Sequence, residues 1–199
     1  MDESINIPTL TTDRLILRVV HPDDAADVLV FRGDPYVQRF NSAPLQSVGA
    51  ARIFIEEQRQ GYAAKQSLGW GVTLGEQDRV IGMVGLGSWN RYHRRAEVGY
   101  DLAYAYWGKG IGTEAVWAVV HFGFTQLNLN RIEAATIADN HESVNLLKKL
   151  GFRLEGLRRS YSWEEDGTFH DSCMFALLQD EFSSNVDLTQ RRHNDNTSI

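Results

Sequence analysis

The ten residues Tyr106–Ala115 constrain the fold of this chain more than any other segment. They read Tyr-Trp-Gly-Lys-Gly-Ile-Gly-Thr-Glu-Ala, with glycine at positions 108, 110 and 112. Glycine has no Cβ, so its backbone can take positive φ and can come close to a ligand. A helix that begins directly after the glycines would direct its free N–H groups at the same place, and such groups bind anions, typically phosphate. A tight turn in which glycine serves geometry alone is the alternative interpretation.

The neighbouring sequence excludes two familiar nucleotide-binding loops. The dinucleotide motif requires Gly-x-Gly-x-x-Gly near the start of a βαβ unit, whereas the spacing here is Gly-x-Gly-x-Gly in mid-chain. The P-loop requires Gly-Lys-Ser/Thr, but Lys109 is followed by Gly110. Patterning instead predicts a strand over Ala96–Leu102 before the turn and a helix over Thr113–Leu127 after it.

A second strand, Arg131–Ile137, and a second helix, Asn140–Leu150, are expected to follow the first helix. With the glycine turn, this segment resembles the acyl-CoA-binding core of the GCN5-related N-acetyltransferase (GNAT) superfamily. The superfamily motif Gln/Arg-x-x-Gly-x-Gly/Ala corresponds to Trp107–Gly112, except that tryptophan replaces the first residue. The form Tyr-Trp-Gly-Lys-Gly is common in one branch, the RimJ/RimL-like ribosomal-protein N-terminal acetyltransferases.

Three further segments are similar to the same branch: the opening strand Thr12–Arg18, the Asn-x-x-Ser helix Asn140–Phe152 and the closing hairpin Gly167–Asp171. The resemblance implies one GNAT domain over residues 1–182, and the polar residues 183–199 are expected to form a flexible tail. It also implies an α/β (α+β) fold. That fold has a central mixed, mostly antiparallel sheet of about seven strands, a splayed cofactor cleft and about four flanking helices.

The other elements follow from residue patterning and turn residues. We expect further strands at Arg14–Val20, Leu68–Leu74, Arg79–Ser88, Phe152–Trp163 and Thr168–Leu177. Residues 75–78 and 164–167 are rich in turn formers and should connect the last two pairs of strands as hairpins. Helices are expected to begin at Pro22 and to span Ser47–Tyr62.

Composition places the chain among ordinary globular domains, with 199 residues, 43% hydrophobic and 23% charged. No apolar run approaches the ~20 residues that span a membrane, and the acidic start lacks signal-peptide features, so we expect a cytoplasmic protein without a membrane partner. The net charge of −6 argues against a nucleic-acid partner and suits a cationic amine. Cys173 is the only cysteine, which excludes an internal disulfide, and its apolar strand predicts a buried thiol. No metal is expected, because no residue cluster has metal-ligand spacing.

The resemblance implies acetyl-CoA as cofactor, bound along the turn and the strand before it. The amides of the turn, with Lys109 in support, would hold its phosphates. The open edge of Tyr100–Leu102 would pair with the pantetheine arm as a peptide pairs with a sheet edge. The implied cofactor-binding residues are Tyr100, Asp101, Leu102, Trp107, Gly108, Lys109, Gly110, Ile111, Gly112, Thr113, Asn140 and Ser143.

Transfer of an acetyl group to an amine requires a general base, and Glu97 is the leading candidate. Its neighbours in the strand are apolar, and strand alternation puts it on the same face as Asp101. An ion pair with a neighbouring arginine explains Glu97 equally well. Three lesser candidates, each better explained by a structural role, are Asp171, Glu155 and His170.

Asn140 and Ser143 are spaced i, i+3 and face the same way from the first turn of a helix. Both suit capping, because asparagine is a good N-cap and Ser143 lies near the third position of a capping box. The resemblance implies instead that Asn140 contacts the cofactor arm and that Ser143 is the acid that protonates the leaving thiolate. Many superfamily members use a tyrosine a few residues later, but Leu146–Lys148 contains none.

The acceptor amine does not follow from these residues. The resemblance favours the N-terminal α-amine of a protein, such as a ribosomal protein. Acetylation of a small amine (a polyamine, an amino acid or an antibiotic) is one alternative, and a non-catalytic acyl-CoA-binding regulatory module is another. The presence of Glu97, Asn140 and Ser143 together argues for an enzyme.

Three loops, 40–45, 89–95 and 163–170, are expected to surround the acceptor. The arginines of the second loop, at positions 91, 94 and 95, are best explained as a solvated turn, with contact to the acceptor or to a second subunit of a homodimer as the alternative. Trp89 would either wall the acceptor pocket or pack in the core. Trp117 belongs to an apolar helix stripe and is expected to be buried.

Overall fold

The computed structural model of the protein describes residues 7–64, 66–75, 77–164 and 166–182, so the predicted tail 183–199 lies outside the described residues. The strands are Leu10–Thr11 (β1), Leu15–Arg18 (β2), Leu68–Leu74 (β3), Gly82–Asn90 (β4), Arg95–Leu102 (β5), Arg131–Ile137 (β6), Arg153–Trp163 (β7) and Phe169–Leu178 (β8). They form one eight-stranded sheet in the order β1-β2-β3-β4-β5-β6-β8-β7. All neighbours are antiparallel except β5 and β6. The predicted α/β fold is confirmed, with the two-residue β1 as the additional strand.

The described α-helices are Ala25–Arg32 (α1), Pro35–Gln38 (α2), Val48–Ala63 (α3), Ile111–Thr125 (α4) and His141–Lys149 (α5). Side-chain oxygens of Asp34, Ser47 and Asn140 accept backbone N–H groups at the starts of α2, α3 and α5. Such caps satisfy donors that the first helical turn leaves free. The sequence did not predict α2, because four residues are too few to carry a helical period.

Two apolar cores hold the helices against the sheet. The larger contains Trp70 of β3 and Val119 of α4, and the smaller contains Phe31 of α1 and Ile55 of α3. All four side chains are fully buried, at 0% exposure. Since burial of such a side chain contributes about 1.5–3 kcal/mol, these contacts fix the helices that flank the central strands.

The parallel pair β5 and β6 is short. Arg95, Ala96 and Glu97 of β5 pair with Arg131, Ile132 and Glu133 of β6. Beyond this point β5 pairs only with β4, as far as Leu102, and β6 pairs with β8 along its whole length. The edge of β5 that faces β6 is therefore free over residues 98–102, which is the splayed cleft that the resemblance implied.

The predicted start of β4 is wrong. The strand was expected from Arg79 but begins at Gly82. Asp27 of α1 explains the difference, because its carboxylate accepts the Val80 N–H at 3.1 Å and the Arg79 Nε–H at 3.2 Å. These bonds hold the segment before β4 against α1. Val80 is therefore buried in the smaller core and does not pair with β3.

Two burial predictions also need correction. Trp117 is 43% exposed and stacks on His121, with ring centroids 5.1 Å apart. Helix α4 buries the face that carries Val116 and Val119, whereas Trp117 and His121 are spaced i, i+4 on the opposite face. Cys173 is only partly buried and packs against the larger core from its margin.

Arg14, just before β2, ties the N-terminal segment to the start of α4. Glu114 accepts hydrogen bonds from Thr12 Oγ1 at 2.6 Å, from the Arg14 N–H at 3.0 Å and from Arg14 Nε at 2.6 Å. The same guanidinium donates to the Lys109 carbonyl in the glycine turn at 3.0 Å. Burial opposes ionisation of Glu114, but the donors of Thr12 and Arg14 outweigh it and lower the pKa of Glu114.

We expect Glu114→Gln to lower the free energy of unfolding by about 1 kcal/mol at neutral pH, because it removes the charge from these hydrogen bonds. A carboxyl whose pKa is depressed by folding adds stability above its unfolded pKa, and this stability is lost as the pH falls through the folded pKa. The difference between parent and variant should therefore shrink below the ordinary value of 4.5. Denaturant unfolding on both sides of that pH measures the effect, and a difference that grows in acid would contradict it.

Candidate active site

Two cavities open on the free edge of β5. The first, of about 450 Å³, extends from the glycine turn to the start of α5, and we call it the turn cavity. The second, of about 490 Å³, lies between α3 and the faces of β4 and β5, and we call it the α3 cavity. Both are lined by Val98–Asp101, Phe40, Asn41 and Ala135. Ligands in the two cavities would therefore meet at β5, just beyond its last pair with β6.

The glycine turn shapes one end of the turn cavity. Gly108 and Gly110 have φ of 71° and 76°, in the left-handed region that favours glycine. Gly110 is the residue that precedes α4, so the N–H groups of the first helical turn follow directly. These N–H groups have no partner within the helix and suit an anion. Gly112 has a second function, because a Cβ there would lie 3.3 Å from the side chain of Leu146 in α5.

The side chains of the three non-glycine residues between positions 107 and 112 point in different directions. Lys109 turns away, since its Nζ donates to the Ala105 carbonyl at 2.8 Å. Ile111 is 4% exposed and packs in the larger core. Trp107 does line the turn cavity, and its Nε1 donates to the Leu102 carbonyl at 2.7 Å. Anion binding at this turn therefore relies on backbone N–H groups.

Arg39, which the sequence did not indicate, supplies a cation to the turn cavity. Its guanidinium lies over the rings of Tyr36, at 3.9 Å, and Trp107, at 5.4 Å from the ring centroids. It also approaches Glu142 of α5 at 3.6 Å. Arg39 thus spans the cavity from α2 to α5. No local motif marks it, because its partners come from three separate parts of the chain.

Asn140 and Ser143 both lie in the turn cavity, but they make different contacts. Asn140 Oδ1 accepts the Ser143 N–H at 3.1 Å and so caps α5. The Ser143 hydroxyl instead hydrogen-bonds the Tyr100 hydroxyl, with 2.8 Å between the oxygens. Burial raises the pKa of Tyr100 to about 12, so the phenol stays protonated near neutral pH. No local pattern indicates this pair, because the two residues are 43 positions apart in the chain.

Glu97 lines the α3 cavity and is half-buried. In the part of the chain that the structure describes, its carboxylate has no ion-pair partner. The arginines of the adjoining strand positions are occupied by Glu133, which lies 3.6 Å from Arg95 and 2.7 Å from Arg131. A carboxylate without an ion-pair partner, beside the wall that both cavities share, can accept a proton from a ligand nitrogen.

Asp101 presents only its backbone to a ligand. Its carboxylate accepts hydrogen bonds from Arg32 Nη1 at 2.6 Å, Gln38 Nε2 at 3.2 Å and Asn41 Nδ2 at 2.7 Å. Arg32 and Asp101 are 15% and 13% exposed, so this ion pair is largely shielded from solvent. It fastens α1 and the segment after α2 to β5. The three donors were missed because each looks like an ordinary polar surface residue in sequence.

The lesser candidates for the base make other contacts. Glu155 pairs with Arg131 at the edge of the sheet, His170 bonds Asp166 at 2.8 Å, and the Asp171 carboxylate accepts the Ser160 N–H at 2.8 Å. None of the three lines either cavity as the described residues define them. Their structural interpretation agrees with these contacts.

Of the three loops expected around the acceptor, only 40–45 lines the turn cavity or the α3 cavity through residues that the structure describes. Trp89 packs against the larger core, with the guanidinium of Arg91 over its ring at 4.3 Å. Helix α3 lines the α3 cavity where the other two loops do not, through Phe54, Gln58 and Tyr62. Their spacing of four residues marks one helix face and was the available signal in the sequence.

Within residues 7–64, 66–75, 77–164 and 166–182, no helix has the length and apolar character needed to cross a membrane. Over the same ranges, no three side chains of His, Cys, Asp or Glu are grouped so that they could hold a metal ion.

Comparison with known proteins places the chain in an acetyltransferase family. The family model of the acetyltransferase (GNAT) domain matches residues 14–153. The uncharacterized N-acetyltransferase p20 of Bacillus licheniformis is 39% identical over 176 residues, which are 88% of this chain and 98% of p20. The spermidine N(1)-acetyltransferase of Escherichia coli K12 is 30% identical over 101 residues, which are 51% of this chain and 54% of that protein.

A solved structure of RimL, the ribosomal L7/L12 α-N-protein acetyltransferase in complex with coenzyme A, has the same fold. It matches with a TM-score of 0.77 and 19% identity, over 86% of this chain and 98% of that one. The family match itself includes the glycine turn, β5 and the start of α5, the elements that build the turn cavity. The chain belongs to the GNAT family and is an N-acetyltransferase.

Proposed function

We propose that this protein transfers the acetyl group of acetyl-CoA to the N-terminal α-amine of a peptide or protein, such as a ribosomal protein in the cytoplasm. The observation that carries this choice is the charge in the α3 cavity. Its acids are Glu97 and Asp101, and Asp101 is neutralised by Arg32 at 2.6 Å. One carboxylate without a partner matches one ammonium group. A polyamine would bring further positive charges, for which the described lining of the cavity offers no second unpaired carboxylate.

The turn cavity fits acetyl-CoA. The N–H groups that begin α4, with Gly108 and Gly110 at positive φ, suit the pyrophosphate. The free edge of β5 offers unpaired main-chain donors and acceptors to the amides of the pantetheine arm, as in strand addition. Asn140, which lines the same cavity, is assigned to that arm. Acetyl-CoA supplies the acetyl group in activated form, as a thioester.

Gly108→Ala tests this cofactor assignment. The alanine would face the turn cavity, and nothing else lies within 4 Å of its Cβ. We expect the increase in melting temperature that acetyl-CoA causes to be lost or greatly reduced, because the methyl group occupies the approach to the N–H groups.

Gly167→Ala is the matched control for backbone strain. Gly167 has φ of 77°, close to the 71° of Gly108, and nothing lies within 4 Å of an added Cβ. Both variants should lose similar stability without ligand, but only Gly167→Ala should keep the full response to acetyl-CoA. Equal responses in both variants would show that the phosphates bind elsewhere.

Glu97 is assigned as the general base. It takes a proton from the acceptor nitrogen, directly or through one water, as that nitrogen forms its bond to the acetyl carbon. The bond between that carbon and sulfur breaks in the same transfer. The position of Glu97 supports this role, because it lies in the α3 cavity beside the wall that both cavities share.

We expect Glu97→Gln to reduce kcat for the α-amine of a short peptide by about 10²–10⁴-fold at neutral pH, with little change in acetyl-CoA binding. The deficit should become smaller as the pH rises, since the amine then loses its proton to solvent. Glu155→Gln is a suitable control, because Glu155 pairs with Arg131 outside both cavities. Parent-like rates for Glu97→Gln, or a pH-independent deficit, would assign the base to another group.

Ser143 is assigned as the proton donor to the leaving thiolate. Both Ser143 and Tyr100 line the turn cavity, and their hydroxyls are hydrogen-bonded to each other. When the phenol donates this bond, the serine proton can pass to the sulfur while the phenol proton passes to Ser143, and solvent then returns a proton to Tyr100. The thiol is moderately acidic, with a reference pKa of about 8.5, so the rate gained from this proton should be modest.

Ser143→Ala and Asn140→Ala separate catalysis from helix capping. Asn140→Ala removes the cap of α5 and should cost about 1 kcal/mol of stability. Ser143→Ala keeps that cap, so we expect near-parent stability with a reduced kcat. Melting temperature and turnover measured on the same preparations distinguish the two effects. Full turnover in Ser143→Ala would remove Ser143 from the active site.

A further inference from the structure

Four glycines lie close together on the floor of the α3 cavity. Gly69 of β3, Gly85 of β4 and Gly99 of β5 are direct partners in register, so they form a row across three neighbouring strands. Gly87 lies two residues further along β4, opposite Glu97. All four glycines line the α3 cavity, and we call them the glycine floor.

Packing accounts for only half of the glycine floor. A Cβ at Gly69 would lie 2.4 Å from the Tyr62 hydroxyl oxygen, and one at Gly85 would lie 2.6 Å from the Leu68 carbonyl oxygen. At Gly87 and Gly99, however, nothing lies within 4 Å of an added Cβ, and neither has φ in the left-handed region. Glycine inside a strand weakens it, and such positions often mark the close approach of a ligand. Gly87 and Gly99 therefore leave room for something other than the protein itself.

Tyr62 closes the far end of the glycine floor. Its ring packs over Gly69, and its hydroxyl is buried with no hydrogen-bond partner among the described residues. Burial raises the pKa of this phenol to about 12, so it remains a donor near neutral pH. Since neighbouring strands are about 4.8 Å apart, the row from Gly99 to Gly69 is roughly 10 Å long. A buried donor without a partner is costly unless a ligand or water satisfies it.

We propose that the glycine floor is the specificity-determining surface for the acceptor. An extended peptide N-terminus lies across β5, β4 and β3, with its amine at Glu97 and its main chain directly on the floor. A main-chain carbonyl further along accepts the hydrogen bond of Tyr62. The space above Gly87 and Gly99 then admits a small first side chain and excludes a bulky one. This inference depends on the proposed function, because it assigns the binding surface of that same acceptor.

The test uses Gly87→Ala and Gly87→Val, because Gly87 lines the α3 cavity but not the turn cavity. With an acceptor peptide that begins with glycine, we expect the acceptor KM to rise about tenfold in the alanine variant and further in the valine variant, since the added groups overfill the occupied space. The melting temperature should not fall below the parent value, because glycine is unfavourable inside a strand, and its response to acetyl-CoA should be unchanged. Gly156→Ala is the matched control, because Gly156 lies in β7, outside both cavities, and also has nothing within 4 Å of an added Cβ.

Tyr62→Phe provides an independent variant. Removing a buried hydroxyl that has no protein partner should leave stability unchanged or slightly increased. A raised acceptor KM in this variant, with stability retained, supports contact between the hydroxyl and the acceptor. An unchanged KM in both Tyr62→Phe and the Gly87 series overturns the inference.

The parent enzyme separates the two proposals. A parent that acetylates peptides beginning with glycine, but whose Gly87 variants behave like Gly156→Ala, overturns this inference and leaves the proposed function in place. Equal KM values of the parent for peptides beginning with glycine and with leucine also overturn it. A parent that acetylates spermidine but no peptide overturns the proposed function, and the glycine floor as a peptide surface with it.

Discussion

The site depends on how briefly β5 and β6 pair. Three residues of each strand are in register, and beyond them β5 holds only to β4 while β6 holds only to β8. A continuous sheet would satisfy the main-chain groups of residues 98–102 within the protein. The separation leaves the edge-facing groups of residues 98–101 available in a place that is otherwise deeply packed, whereas the Leu102 carbonyl accepts a hydrogen bond from Trp107 Nε1. Cofactor and acceptor can therefore reach one strand from two sides without disturbing the core.

The separated half of the sheet is kept in position by charge as well as by packing. Asp101, near the end of β5, collects donors from Arg32, Gln38 and Asn41. Removal of one partner of a shielded ion pair leaves the other charge uncompensated, which is far more costly than loss of a surface pair. The same contacts satisfy the Asp101 carboxylate, so among the described residues Glu97 remains as the acid of the α3 cavity without an ion-pair partner. One network thus both supports the wall and defines the charge of the cavity.

The parts of the site that lie close together in sequence could be predicted, and the rest could not. The glycine turn, the strand before it and the cap at Asn140 are local patterns, and each has a backbone requirement that restricts the residue type. The pairing of Tyr100 with Ser143 and the arginines at positions 32 and 39 depend on contacts between distant elements, for which one sequence holds no local rule. For Lys109 the motif predicts a phosphate contact, whereas in the structure its Nζ donates to the Ala105 carbonyl.

Helix periodicity failed for a related reason. It described the apolar content of α4 correctly, but it did not tell which of the adjacent residues Val116 and Trp117 faces the sheet. The expected strand start at Arg79 failed because Asp27, far away in sequence, offers a better partner for that backbone. In both places tertiary contacts overrode local preference.

The link from Arg14 to the glycine turn has a consequence for how the protein acquires its structure during synthesis. Arg14 leaves the ribosome 95 residues before its partner Lys109 and 100 residues before Glu114. Contacts of such long sequence separation form late, because the intervening chain must first be ordered. Helix α4 can form locally, but the turn in front of it gains its brace only when the earliest strand docks. The glycine turn therefore lacks this brace until residue 114 has been made, and a nascent chain that ends within α4 also lacks the wall of the turn cavity that α5 supplies.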